Sequence, residues 1–419
     1  MVKPPPLKND CFALPSGVDW TPVDDALAVL RRGLHCVTDI EEVEIAEAGG
    51  RILAADVFAA RSSPPYANSA VDGYGFSFES LPEKAVFELP LARGCAAAGA
   101  PFDGTLTAGH ALRILTGARV PEGVDTVVLE EDCSISDNHI AFRSGLKRGA
   151  NTRAKGEDVE AGKLIFSAHK KLRSQDLALL AAVGVVTVSV RQKLRVAVLS
   201  TGDEVIPVGQ AATDAQVYDA NKAMLLDTIR SWGFVAVDLG HVRDDANLVK
   251  DAFDRGAEQV DAILTSGGAS AGDQDHVSAV LKANGDVQTW RIAVKPGRPL
   301  VLALWKGVPV FGLPGNPVAA LICTLVFARP ALLLLAGGDW HEPVGFYVPA
   351  AFSKNKRAGR REYLRARVYN GRVEVFKSEG SGRISGLSWA DGLVELNDRA
   401  QIVSEDDLVR YYPFGSFGI

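Results

Sequence analysis

From Leu194 the chain alternates strand and helix signals for about 140 residues, and its strand segments are apolar along nearly their whole length. Leu194–Ser200 (LRVAVLS) carries a single charge, Arg195, as expected for a strand covered on both faces. Asn221 to Trp232 reads as an amphipathic helix stopped by Gly233, Phe234–Leu239 as a strand and Ala246–Glu258 as a helix. Asp261–Thr265 is a strand that enters Ser266-Gly267-Gly268 directly. After a further helical piece come strands at Leu300–Leu304 and Val308–Gly312, and Asn316 opens a long apolar helix. This order predicts an α/β domain on a doubly wound, mostly parallel sheet, a fold that binds ligands beyond the carboxyl ends of its strands.

The flanks have a different texture. Asp24 to Arg32 is helical in pattern, and Ile40 to Val57 is an apolar-periodic piece interrupted by Gly49-Gly50. Pro64 to about Arg148 holds short apolar runs, Ala111–Leu115 and Thr126–Leu129 among them, between Gly, Pro and Asp turns, which predicts a small β barrel or sandwich. A helix returns at Gln175–Val183 and a strand at Val185–Val190. Beyond Gly338, short runs at Arg365–Tyr369, Val373–Phe376 and Gly392–Leu396 predict a small C-terminal β-domain.

A chain of 419 residues is long enough for roughly two to four domains. With 45 basic and 51 acidic residues its net charge is −6, which argues against nucleic-acid binding. The five cysteines are widely spaced without a C-x-x-C, so neither a disulfide framework nor a zinc ribbon is expected, and a reducing cytoplasm fits. The Pro-rich start, MVKPPPLKND, has no apolar run of signal-peptide type and reads as a flexible tail. Val318 to Gly337 is the most apolar stretch. Arg329-Pro330 is expected to break it, giving a buried helix and its exit rather than a membrane span. P-loop, nucleophile-elbow, dinucleotide and H-E-x-x-H motifs are all missing, which disfavours NTPase, serine hydrolase, dehydrogenase and zinc-protease chemistry.

Several loops gather chemistry at predicted strand ends. Thr265 to Asp275 (TSGGASAGDQD) offers close backbone approach for an anion and two carboxylates, Asp273 and Asp275, with a Gly-rich turn and helix cap as the plain alternative. Glu204 in Thr201-Gly-Asp-Glu204 and Asp244 in Arg243-Asp-Asp245 follow two other strands; either loop reads equally as a capping turn. Convergence of Glu204, Asp244 and Asp275 on one crevice would make a metal or catalytic site. Arg291, Lys295 and Arg298 surround a Pro-Gly turn suited to an oxyanion, and Gly312-Leu-Pro-Gly-Asn-Pro317 specifies a helix start through an Asn316 N-cap. Lys354 to Arg367 packs seven cations around one acid and reads as a concentrated anion site.

These blocks in this order resemble the MoeA-type molybdopterin molybdenumtransferases, relatives of the gephyrin E domain. The resemblance runs from about Asp24 to Tyr412 through PPYANSAVDGY, LTGARVP, EGVDTVVLEED, KGEDVEAG, STGDEV, VYDANKAML, TSGGASAGDQDH, KPGRP, LPGNPVAA and GRREYLRARV. It implies insertion of molybdate into adenylylated molybdopterin with release of AMP, a divalent cation such as Mg2+, and a cytoplasmic homodimer. It further implies a multidomain α/β plus β chain: a tail at 1–18, an elongated linker domain at 19–62 and 149–192, a β-domain inserted at 63–148, an adenylyltransferase-like α/β domain at 193–338 and a β-barrel-like domain at 339–419.

Carried over by motif, Asp72, Glu204, Asp244 and Asp275 would be catalytic, the last three holding the metal, with Asp72 and Thr116 contributed across the dimer. Ser266, Gly267, Gly268, Ser270, Gly272, Arg291, Lys295, Arg298, Pro314, Gly315 and Asn316 would bind substrate along with Thr116. Lys295, Arg365 and Ser381 would hold molybdate; Gly380-Ser-Gly-Arg-Ile-Ser385 lacks the histidine often found in relatives, so Ser385 and Ser388 are substitutes. Arg291 and Arg298 stand where relatives often carry lysine. Partners implied are the upstream adenylyltransferase and downstream apo-molybdoenzymes, without nucleic acid or membrane. A molybdopterin adenylyltransferase and a gephyrin-like scaffold are the competing readings.

Overall fold

The structure is a computed structural model and describes residues 20–267, 276–297, 300–378, 380 and 382–419. It forms two compact units: the described residues up to Glu41 with Arg191–Ile419, and Glu42–Val190.

The first unit is built on a six-stranded sheet in the order Val235–Val242, Arg195–Thr201, Ala262–Ser266, Val308–Leu313, Val301–Trp305, Asp286–Trp290. The first four strands are parallel. Val301–Trp305 forms a hairpin with Val308–Leu313 and is antiparallel to both its neighbours, so five of the six strands share one direction and the sheet is mostly parallel, as expected, with one reversed strand. Only Lys306 and Gly307 separate the two strands of the hairpin, both at positive φ (49° and 83°). That is a tight hairpin turn, and two residues cannot carry the crossover a parallel neighbour needs.

Strand alternation splits the apolar residues between two faces. Ala197, Leu199 and Ile263 pack with Val249 and Phe253 of helix Ala246–Ala257 and with Val277 and Leu281 of helix His276–Asn284. Helix Ala220–Ser231 packs on strands Arg195–Thr201 and Val235–Val242 and meets the helix that opens at Pro317. Each fully buried Leu, Ile or Phe side chain contributes about 1.5–3 kcal/mol, so this core anchors the strand ends where the loops of interest lie.

Arg329-Pro330 does not break the long helix, contrary to expectation. Pro317–Leu335 continues through a π turn at Thr324–Ala328, and Pro330 falls in the first turn of the segment Arg329–Leu335. The wider turn accommodates a proline that would collide with a regular α ladder. The helix is long and apolar enough to cross a membrane, with mean hydropathy 2.3, but 83% of it is buried inside the protein, so it serves as a core helix.

The C-terminal sheet follows in the order Val294–Lys295, Arg361–Tyr369, Gly392–Leu396, Leu408–Pro413, Phe346–Pro349, with Arg372–Val375 added to Arg361–Tyr369. The KPG segment thus belongs to this sheet, in parallel register with Lys295 opposite Glu362.

In the second unit, a sheet runs in the order Thr126–Leu129, Gly73–Phe76, Ala111–Ile114, Val86–Ala96, His139–Arg143, Ser134–Ser136. Its core holds Tyr74, Phe76, Val128, Ile140 and Phe142. A separate cluster of Ala48, Leu53, Leu172, Leu180 and Val188 includes helix Ser174–Ala182.

Candidate active site

Three loops meet at the carboxyl ends of the parallel strands. The turns bearing Glu204 and Asp244 clasp each other: Asp203 N donates to Asp244 Oδ2 and Asp244 N donates to Asp203 Oδ1, both at 3.3 Å. His241 Nε2 lies 2.7 Å from Gly202 O. Gly267 continues the next strand at φ +100°, and a Cβ there would lie 3.0 Å from Thr201 O, so the close approach requires glycine. Thr265 Oγ1 donates to Gly267 O at 3.2 Å. The plain alternative holds for Asp245, which caps helix Ala246–Ala257 by accepting from Asn247 N and Leu248 N.

The LPGNP loop closes this crevice. A Cβ on Gly315 would stand 3.6 Å from Gly267 Cα, and Asn221 Nδ2 donates to Gly315 O at 2.8 Å. Asn316 caps its helix as expected, accepting from Val318 N at 3.1 Å. Ser200 Oγ, Thr201 Oγ1, Asp219 Oδ2 and Asn221 Oδ1 are buried here without a hydrogen-bond partner among the described residues. Buried polar atoms normally find a partner, so four such atoms beside one crevice suit a polar ligand.

Glu204 and Asp244 present hard oxygen donors on two tied loops, as a cation such as Mg2+ prefers. No group of three or more His, Cys, Asp or Glu placed to hold a metal occurs among the described residues. The expected third ligand, Asp275, lies outside the described residues, as do Gly268, Ser270, Gly272, Arg298 and Ser381.

A second cleft, about 220 Å³, opens where the KPG turn meets the C-terminal sheet; Lys295, Lys354, Arg365, Lys377 and Ser378 line it along with Val318 of the LPGNP helix. Two of the expected oxyanion residues, Lys295 and Arg365, are thereby brought together. Arg291 is not in that lining; its carbonyl accepts from Thr21 N at 3.1 Å. Lys295 Nζ lies 3.3 Å from Glu362 Oε1. Arg365 is engaged with the backbone: Nη1 donates to Arg383 O at 2.5 Å, and Nη2 to Ser378 O at 2.5 Å and Gly380 O at 3.1 Å. Its guanidinium also stacks on Phe376 at 4.8 Å. Of the seven cations in Lys354–Arg367, only Lys354 and Arg365 line the cleft. Arg361 pairs with Asp24 and Asp398, Arg367 pairs with Glu374, and Lys356 donates to two carbonyls.

Asp72 and Thr116 belong to the second unit. Asp72 Oδ1 accepts from Thr116 Oγ1 at 2.6 Å and from Thr116 N at 2.7 Å. These bonds hold the Asp72 carboxyl below the usual aspartate range, so it stays ionised and aimed.

Motif reading passed over Asp203, Asp219, Asn221, Glu362 and Lys377. The VYDANKAML block contained Asp219 and Asn221, but nothing local marked their side chains as buried.

Sheet and crevice define an α/β domain of the kind that binds a ligand beyond its strand ends, here followed by a C-terminal β-sheet that lines a basic cleft. Residues 21–184 match the MoeA N-terminal region (domain I and II), 197–333 a probable molybdopterin binding domain, and 347–414 the MoeA C-terminal region (domain IV). The molybdopterin molybdenumtransferase of Haemophilus influenzae is 32% identical over 94% of this chain and 98% of its own length. Molybdopterin molybdenumtransferase 2 of Mycobacterium tuberculosis is 33% identical over 84% of this chain and 90% of its own. The chain belongs to the MoeA family of molybdopterin molybdenumtransferases. Two structures of molybdopterin biosynthesis MoeA protein from Pyrococcus horikoshii superpose with TM-scores of 0.79 and 0.83. They are 30% and 25% identical, and cover 94% of this chain and 99% and 100% of their own.

Proposed function

We propose that this chain is a molybdopterin molybdenumtransferase of molybdenum cofactor biosynthesis, inserting molybdate into adenylylated molybdopterin with release of AMP. The match to the Haemophilus influenzae enzyme over nearly the full length of both chains carries the reading. In this proposal the chain is organised as linker (19–62 and 149–192), inserted β-domain (63–148), α/β domain (193–338) and C-terminal β-domain (339–419). It acts as a cytoplasmic homodimer, receiving substrate from an adenylyltransferase and passing product to apo-molybdoenzymes.

The strand-end crevice binds the adenylate. Backbone at Gly267 and Gly315 allows close approach, and the buried oxygens of Ser200, Thr201 and Asn221 supply polar contacts. Glu204, Asp244 and Asp275 would hold Mg2+, whose charge offsets that of the phosphates. Lys295 and Lys354 provide charge for a dianionic oxyanion in the second cleft, beside Arg365 and Ser381. The LPGNP segment supports coupling of the two sites: its Gly315 borders the crevice and its Val318 the cleft. Asp72, held by Thr116, is the acidic group supplied from the N-terminal half.

A single-turnover assay with adenylylated molybdopterin, Mg2+ and micromolar molybdate tests the proposal. Molybdate-dependent AMP release and reconstitution of an apo-molybdoenzyme are expected, both lost in Asp244→Asn with the melting temperature retained. Binding of the adenylate without AMP release would overturn the transferase reading.

A further inference from the structure

Glu204 sits in a tight turn. Val205 N donates to Gly202 O at 3.2 Å, which closes the turn around Asp203 and Glu204. Gly202 is at φ +130°, and a Cβ there would lie 2.7 Å from Glu204 Oε2 and 3.2 Å from Oε1. The carboxylate therefore folds back over the glycine that opens its own turn, where any side chain would displace it. The same Gly202 carbonyl meets His241 Nε2 at 2.7 Å, from the neighbouring strand Val235–Val242. A carbonyl accepts and cannot donate, so Nε2 carries the proton and both lone pairs of Gly202 O are used.

His241 reaches that carbonyl because its strand is bulged. Val198 pairs with Asp238 and Ser200 with His241, so Leu239 and Gly240 together stand opposite Leu199. Gly240 is at φ +86°, and its N donates to Asp238 Oδ1 at 2.8 Å. Asp238 Oδ2 lies 3.4 Å from Lys222 Nζ on helix Ala220–Ser231, which anchors the bulge. In a regular register Gly240 would stand opposite Ser200, and the side chain of residue 241 would point to the other face of the sheet. Three residues beyond His241, Asp244 is clasped to Asp203 in the turn. The two acidic loops are thus tied twice, once through Asp203 and once through His241.

We propose that His241 is a positioning residue for Glu204. By donating to Gly202 O it holds the turn in the shape that lays the Glu204 carboxylate over Gly202, on the loop clasped to Asp244. This rests on reading Glu204 and Asp244 as ligands of a divalent cation. The ring acts through the backbone, as an outer support of the ligand rather than a ligand itself.

Electron paramagnetic resonance of Mn2+ titrated into the full-length protein counts the free metal and gives the dissociation constant. His241→Leu removes the donor, whereas His241→Gln keeps an N–H at nearly the reach of Nε2. Loss of an outer-shell partner weakens metal binding about tenfold at the lower end, so His241→Leu is expected to bind Mn2+ about tenfold more weakly and His241→Gln within about twofold of wild type. Wild-type affinity in His241→Leu overturns the inference and leaves the metal reading standing. Equal weakening in both variants also overturns it, because the packing of the ring and not its hydrogen bond would then hold the turn. Absence of Mn2+ binding by wild type, or binding untouched by Glu204→Gln, overturns the metal reading and this inference with it. Should His241→Leu fail to fold, nitrogen-15 resonance of the wild-type ring decides alone. A proton on Nε2 held against exchange with water supports the role, and a proton on Nδ1 with Nε2 bare refutes it.

Discussion

Replacing Arg365 with lysine keeps the charge of the second cleft and removes the geometry. Three backbone carbonyls, those of Ser378, Gly380 and Arg383, accept from the two terminal nitrogens of Arg365. A Cβ at Gly386 would lie 2.6 Å from Nη1, so that glycine makes room for the guanidinium. Charge-assisted bonds contribute about 1.5 kcal/mol each at the lower end, and a lysine reaches one carbonyl, so about 3 kcal/mol is lost. Gly380 and Arg383 are exposed, and water recovers about half of that loss. Losing the guanidinium stack on Phe376 adds about 1 kcal/mol. The net, about 2–3 kcal/mol, falls on the closed form of residues 382–387, which Arg365 ties through Arg383 O. At about 1.4 kcal/mol per decade, its protected amides at Gly386 and Leu387 exchange hydrogen about 30- to 150-fold faster. Hydrogen exchange read by mass spectrometry gives this directly, with molybdate affinity measured beside it. Arg365→Lys and Arg365→Ala are expected to weaken molybdate binding alike, because both release the segment. If Arg365→Lys leaves exchange unchanged, Arg365 does not order the segment and the reasoning fails.

Asp176 is buried at the start of helix Ser174–Ala182, where it accepts from Arg173 N and Nε and pairs with Lys170. The Arg173 guanidinium, with Arg173 N and Lys170, lowers its carboxyl to about 2 against an ordinary 3.8. A folded value below the unfolded one means stabilisation that is complete above about pH 4 and lost as pH falls through about 2. Thermal unfolding from about pH 6 to about pH 2 is expected to show wild type losing about 2 kcal/mol more than Asp176→Asn; parallel pH curves would contradict this. Gly297 sits at φ +122°, and a Cβ there would lie 2.5 Å from Cys323 Sγ. Gly297→Ala is expected to destabilise by about 2–4 kcal/mol, with Cys323→Ala relieving the overpacking but not the backbone strain. An unchanged melting temperature in Gly297→Ala would show that the KPG turn is less constrained than its packing implies.

What the sequence by itself determined is local. The strand and helix order from Arg195 to Leu313 was readable because apolar periodicity and burial on both faces are properties of neighbouring residues. The Asn316 cap was readable because a cap and its amides lie within two residues. Family blocks pointed to the two loci, strand ends and KPG turn, where the crevice and cleft stand. The tertiary structure alone decided which charges meet. Lys356, Arg361, Arg365 and Arg367 look alike in one basic stretch, yet Arg361 pairs with Asp24, 337 residues away, and Arg365 orders a backbone segment that follows its own strand. The helix continuing through Arg329-Pro330 was likewise set by packing inside the core. Charge and apolarity are written residue by residue, but a partner is chosen by which surfaces the fold buries together, and that choice is made only when distant segments share one core.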